Sequence, residues 1–237
     1  MAGIAHADAG HASKEEQENY YRVNTDLAIA AAKKARDAGV GQFVFMSSMI
    51  IYGRQECIDG HTLPQPENFY GNSKWLADRG IRELGSDIFA AAVLRCPMIY
   101  GKGSKGNFPA LAKLARTVPV FPKVNNRRSM LYIENLCEFV AQAVLSGEGG
   151  VFFPQNGEYS NTGELVRMIG EASGRKVRLS RMLLPAVTIA MHMPIGKVKG
   201  LASKAFGSSY YDMRLSRYEG MDYQKVGLKE SIVRTEA

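Results

Sequence analysis

The chain has 237 residues, enough for one large domain or two small ones, and its 46% hydrophobic and 22% charged content is that of a soluble globular protein. Thirty Lys and Arg against 23 Asp and Glu leave a formal charge of +7, compatible with nucleic acid, a membrane surface or a small polyanionic ligand. The basic residues look scattered, with doublets at Lys33-Lys34 and Arg127-Arg128 and no run of five, so a small polyanion is favoured and neither nucleic acid nor membrane is expected.

The N-terminal MAGIAHADAG has no basic stretch followed by a long apolar one, so no signal peptide is read there. His6, Asp8 and His11 share this polar segment at a spacing that is weak for metal ligation, and no metal site is expected. From Tyr21 to Ala38 the residues Val23, Leu27, Ala31 and Ala35 recur at helical spacing, and Gly39 supplies a left-handed stop. QFVFM, Gln42 to Met46, reads as a buried strand ending in the polar pair Ser47 and Ser48. Past Pro64 and Pro66, Tyr70 to Leu84 is helical, and FAAAVLR, Phe89 to Arg95, is a second apolar strand. Further on, Asn107 to Ala115 reads as a helix and Val118 to Phe121 and Ser129 to Ile133 as extended. Glu134 to Leu145 is a helix and Val151 to Phe153 a strand. Asn161, three before Glu164, caps a helix to Ala172, and Val177 to Leu179 is a short strand. The apolar stretch Met182 to Ile195 is short of a membrane span and contains Pro185 and Pro194, so it reads as a buried or interfacial helix. Cys57, Cys96 and Cys137 lie far apart, which suggests neither disulfides nor zinc and fits a reducing cytoplasm.

Helix, strand, helix, strand with short connections is the grammar of an α/β, doubly wound, Rossmann-like parallel sheet. Residues 1–103, with the helix 134–146 packed on them, are expected to form its body, and residues 104–133 and 147–237 a smaller lobe. Ligands of such a sheet bind beyond the carboxyl ends of the strands. Ser48 follows the first strand, and Tyr70 opens the next helix with Lys74 one turn along. A phenol has a pKa near about 10, and a neighbouring ammonium is expected to lower it toward easier proton transfer. Tyr70, Lys74 and Ser48 would then suit hydride transfer at a carbon bearing a hydroxyl. Y-x-x-x-K by itself is a weak pattern, which an interfacial tyrosine and an exposed lysine also produce.

Several segments together resemble the extended short-chain dehydrogenase/reductases, in particular the NAD-dependent epimerase/dehydratase group that includes UDP-glucose 4-epimerase. They are AGIAHA (Ala2 to Ala7), YYRVNTDLAIAAAKKA (Tyr20 to Ala35), FVFMSSMIIYG (Phe43 to Gly53), YGNSKWLAD (Tyr70 to Asp78), LRCPMIYGKG (Leu94 to Gly103) and RRSMLYIENL (Arg127 to Leu136). The resemblance implies a catalytic trio of Ser48, Tyr70 and Lys74. It implies contacts to NAD, with NADP not excluded, from Ala2, Gly3, Asn24, Ser47, Tyr70, Lys74, Pro97 and Met98. The implied ligand is a UDP-sugar or related nucleotide-sugar, held by Met49, Asn107 and Arg128, whose guanidinium suits a diphosphate; for Arg128 a surface strand arginine is an equal reading. Family members often dimerise through the helices flanking the sheet, which leaves a homodimer open.

Sugar-nucleotide 4,6-dehydratases resembling this chain carry Asp-Glu directly after the catalytic hydroxyl residue, where this chain has Met49 and Ile50. Apolar side chains transfer no protons, so dehydration is disfavoured, leaving 4-epimerisation or reduction of a 4-ketosugar. The family's first strand and its G-x-x-G-x-x-G turn, which hold the cofactor pyrophosphate, have no counterpart in the sequence. The expected sheet therefore lacks its first βα units, and the chain reads as N-terminally truncated: a fragment of such an enzyme or a non-catalytic remnant that binds sugar nucleotides.

Overall fold

The computed structural model describes residues 4, 13–192, 202–203 and 205–237; Ala2 and Gly3, like His6, Asp8 and His11, fall outside them. In chain order the first elements are α1 (Lys14–Tyr21), α2 (Leu27–Asp37), β1 (Gln42–Ser48), β2 (Cys57–Ile58), α3 (Phe69–Arg82) and β3 (Ala90–Cys96). Next come β4 (Met98–Tyr100), α4 (Asn107–Thr117), β5 (Val120–Pro122), β6 (Met130–Tyr132), α5 (Ile133–Ser146) and β7 (Gly150–Phe152). The last are α6 (Thr162–Ala172), β8 (Arg178–Ser180), α7 (Leu184–His192), β9 (Tyr210–Tyr211) and α8 (Leu228–Glu236). The architecture is α/β with parallel strand pairing, as the sequence implied.

The chain divides into two units: residues 1–97, 136–155 and 211–223, and residues 98–135, 156–210 and 224–237. This differs from the expected division, which gave 147–155 and 211–223 to the lobe and 98–103 and 134–135 to the body. The cause is strand pairing: β7 is the third strand of the first unit's parallel sheet, in the order β1-β3-β7. In that unit α1 begins at an unforeseen capping box, in which the Glu16 N–H donates to the Ser13 hydroxyl (3.1 Å) and the Ser13 N–H to the Glu16 carboxylate (2.7 Å). Between α1 and α2 the helix widens to a π-helical turn at Arg22–Asp26, which buries Asn24 and Thr25. α2 ends at Gly39, whose φ of +76° is the left-handed stop anticipated from sequence. α2 and α3 pack closely because position 80 is glycine; a Cβ there would lie 2.6 Å from the Ile29 side chain. Their apolar faces meet β1 and β3 through Ala32, Phe45, Ala77, Ile81, Ala91 and Val93.

The second unit holds two parallel strand pairs, β4 with β6 and β5 with β8. Its core joins Phe108 and Ala112 of α4, Leu165 and Ile169 of α6 and Ile232 of α8 around Tyr100 and Met130. α6 starts as read from sequence, with the Asn161 side chain accepting from the N–H groups of Gly163 and Glu164. The Met182 to Ile195 stretch contains α7, and there burial fails: only Val187 of that helix is buried.

Candidate active site

β1 ends in two serines, and consecutive strand side chains do not share a direction. The Ser47 hydroxyl points into the protein and donates to Asp78 Oδ2 at 2.8 Å. Asp78, on α3 and fully buried, also accepts from Arg95 Nε and Nη2 and from Arg82 Nε, each at 2.9 Å. Arg95 donates onward to the Tyr52 hydroxyl at 2.6 Å and lies over the rings of Tyr52, Trp75 and Phe153. Burial alone would push the Arg95 pKa down, but the hydrogen bonds and charge of Asp78 outweigh it and hold the guanidinium firmly protonated. Ser47, expected on the cofactor, thus has its hydroxyl committed to a buried ion network. The second-strand register places it opposite Arg95, the network's cation.

Ser48 takes the other role. Its backbone is extended, and its side chain accepts from the Ile50 N–H at 3.3 Å, opening a short 3-10 turn at Met49–Tyr52. The same hydroxyl lies close enough to the Tyr70 phenol to lower its pKa. Tyr70 stands in the first turn of α3, fixed by Asn68, whose side-chain oxygen accepts from the Gly71 N–H at 2.8 Å. Burial pushes the Tyr70 phenol above its usual pKa, neighbouring Tyr20 adds to the rise, and the nearby Ser48 hydroxyl only partly offsets it. The rings of Tyr20 and Tyr70 meet edge to face at 6.0 Å.

Lys74, one turn further, does not reach the phenol. Its ammonium donates to the Met46 carbonyl at 3.0 Å and sits 5.0 Å from the centre of the Phe45 ring. Burial pulls its pKa down, with the nearby Cys96 thiol working weakly the other way. The groups that shift Tyr70 are burial, Tyr20 and Ser48, without Lys74. The expectation that the ammonium lowers the phenol's pKa is therefore corrected: desolvation dominates, and the Lys74 charge is spent on a β1 carbonyl.

The Asn24 side chain accepts from the Ile4 N–H (2.8 Å) and donates to the Ile4 carbonyl (2.9 Å), so its amide pins the chain at residue 4. Thr25 donates to the Ser73 carbonyl (2.8 Å), and Ser73 donates to the Tyr70 carbonyl (2.9 Å), tying the π-helical turn to the start of α3. Met49, expected at the substrate, packs against the cluster of Ile51, Tyr52, Ile58 and Tyr211. Pro97 is buried directly after β3, and Met98 opens β4 in the second unit. Asn107 is the exposed first residue of α4. Arg128 is half-buried, its Nη1 donating to the Gly207 carbonyl at 3.2 Å while its backbone bridges Ser160, and burial lowers its pKa.

Asp78 and Ser73 were not singled out from sequence. Asp78 lies four residues after Lys74; of its side-chain partners Arg82 is local, at i+4, while Ser47 lies 31 residues before it and Arg95 17 after it, beyond the reach of local pattern.

The donors present suit the nicotinamide end of a dinucleotide. Lys74 gives one N–H to a protein carbonyl, which leaves two for the hydroxyls of a ribose. No glycine-rich pyrophosphate turn is in the sequence.

Residues 2–152 match the family described as the NAD dependent epimerase/dehydratase family. The UDP-glucose 4-epimerase of Vibrio cholerae is 30% identical over 166 residues, which is 65% of this chain and 50% of that protein. The UDP-glucuronic acid 4-epimerase of Bacillus cereus, solved with NAD, superposes at a TM-score of 0.66 with 16% identity, covering 99% of this chain and 71% of that one. The dTDP-4-dehydrorhamnose reductase of Bacillus anthracis, solved with NADP, does so at 0.61 with 20% identity, over 75% and 62%. At such identities the structural likeness establishes the fold. The chain spans 50% and 59% of the length of two curated relatives that it matches. The family match over more than half of its residues shows that this chain belongs to the NAD dependent epimerase/dehydratase family.

Proposed function

We propose that the chain carries the catalytic portion of an NAD-dependent sugar-nucleotide 4-epimerase acting on a UDP-hexose in the cytoplasm. The observation that carries this is the placement of Ser48, at the carboxyl end of β1, close enough to the Tyr70 phenol to lower its pKa, with Lys74 one helical turn away. NAD, when bound, supplies the hydride acceptor. Tyr70 keeps its proton at neutral pH because burial raises its pKa, and it is set to donate to a keto oxygen at C4. Ser48 can hydrogen-bond the same oxygen and favours the phenolate needed for the reverse transfer. Lys74 holds the ribose through its two remaining N–H groups. Met49 and Ile50 offer no acid or base for eliminating water, which speaks against dehydration. Asn107 and Arg128 are the proposed contacts to the nucleotide. The same trio serves a 4-ketosugar reductase, and substrate trials separate the two: interconversion of UDP-glucose and UDP-galactose belongs to the first, one-way reduction to the second.

Tyr70→Phe tests the assignment. The ring stays and the transferable proton goes, so turnover should fall by about 10²–10⁴-fold while calorimetric affinity for UDP-glucose hardly moves. Undiminished turnover would remove Tyr70 from the chemistry, and a wild-type chain that binds UDP-glucose without turning it over would support a binding remnant.

A further inference from the structure

The charge excess is concentrated in one place, unlike the scatter suggested by the doublets. Residues 172–211 carry seven Lys or Arg and no Asp or Glu, while the rest of the chain holds 23 of each sign, so this stretch accounts for the whole +7. Within it Arg175, Lys176, Arg178 and Arg181 are exposed and, among the described residues, form no ion pairs. They lead through a short turn at Arg181–Leu183 into α7, an apolar helix of which, among the described residues, only Val187 is buried. Met182 is 90% exposed and Ile189 63% exposed. The helix's two polar side chains are turned back on its own backbone: the Thr188 hydroxyl donates to the Leu184 carbonyl at 3.2 Å, and His192 Nδ1 lies 2.8 Å from the Thr188 carbonyl. An uncovered helix that is apolar on nearly every side needs an apolar neighbour.

We propose that α7, with the basic residues before it, is a docking surface for an anionic lipid bilayer. Charge selects this occupant. A second copy of the chain would bring the same cationic segment against itself, and a nucleic acid would leave the apolar side chains in water. A bilayer carrying anionic headgroups meets both demands: its phosphates face the arginines, and its acyl boundary receives Met182, Leu183 and Ile189. The nine residues of α7 span about 14 Å, too short to cross, so the helix lies in the interface. No described helix is long and apolar enough to cross a membrane.

The test is co-sedimentation of the purified chain with vesicles of phosphatidylcholine alone and with phosphatidylglycerol added. The wild-type chain should pellet with the anionic vesicles, less so in high salt, and stay in solution with neutral ones. Met182→Glu with Ile189→Glu, and separately Arg178→Glu with Arg181→Glu, should each weaken binding by at least about tenfold. All four side chains are solvent-exposed, so circular dichroism and the thermal midpoint should be unchanged, and a variant that fails this check is replaced by Met182→Ser with Ile189→Ser. Absence of binding to anionic vesicles would overturn the proposal, as would variants that bind like wild type. Light scattering that shows a dimer dissolved by the apolar variant, or equal retention by single-stranded DNA and vesicles, would also overturn it by giving the surface to another occupant.

Discussion

Ser47 and Ser48 are the same residue type at adjacent positions of one strand, yet they serve opposite ends. Around Ser47, the buried side-chain polar groups have partners: Asp78 accepts from one hydroxyl and two guanidinium groups, and Arg95 is divided between Asp78 and Tyr52. Around Ser48, hydrogen-bonding capacity is left over: Tyr70 is a half-buried phenol with the Ser48 hydroxyl nearby, and among the described residues Lys74 keeps two N–H groups unspent. A saturated network is rigid and chemically silent, because any exchange of partner exposes a buried charge. An unsaturated one costs stability and can turn to a ligand. The contrast shows how a scaffold and a reactive cluster can share a strand end without sharing partners.

The comparison breaks most severely at Asp78. Asp78→Ala leaves the Arg95 guanidinium buried without its carboxylate and should cost about 3–5 kcal/mol in urea unfolding; a loss under about 1 kcal/mol would show that the network is not the anchor described. The paired serines sharpen it next. Ser47→Ala removes a hydrogen bond to an ionised acceptor and should cost about 1.5–3 kcal/mol. Ser48→Ala should cost less than Ser47→Ala but raise the Tyr70 pKa further, read from the ζ-carbon signal of labelled tyrosine; equal stability losses with an unmoved phenol would erase the distinction.

The smallest effect is a titration. A free lysine loses its charge near about 10.4, and burial lowers that point for Lys74, whereas it raises the point at which Tyr70 ionises above that of a free phenol near about 10. For Lys74 the unfolded chain is the better proton binder, so its burial costs stability below the folded pKa, and that cost fades as the pH rises through the folded value and on to the unfolded one. Carbon-13 methylated lysine should show one resonance that titrates below the rest and vanishes in Lys74→Arg.

Local pattern carried the reading a long way where it was local. β1, α3, β3 and α6 lie within two residues of their expected limits because apolar runs, the Gly39 stop and the Asn161 cap are written in neighbouring residues. The capping box at Ser13 and Glu16 was equally local and went unread, so the first helix begins seven residues earlier than its apolar spacing implied. Other features were not local. The three-residue β4 is held by pairing with β6, some thirty residues on, and Ser47 by an aspartate of another element. The direction of the Tyr70 shift was misjudged because sequence spacing places Lys74 beside it, while only the folded chain shows the ammonium bonded to Met46. α7 was read as buried or interfacial from its composition, and only exposure separates those two.

The wide turn at Arg22–Asp26 has a consequence for how this helix can vary. A π-turn holds one residue more than an α-turn, so it absorbs a difference of one residue: loss of a single residue there would restore regular winding and leave the turns on either side in place. Tyr20 would then keep its place at the edge of the Tyr70 ring. A residue lost from a regular turn of α1 has no such buffer and would turn everything before it by about 100° around the axis.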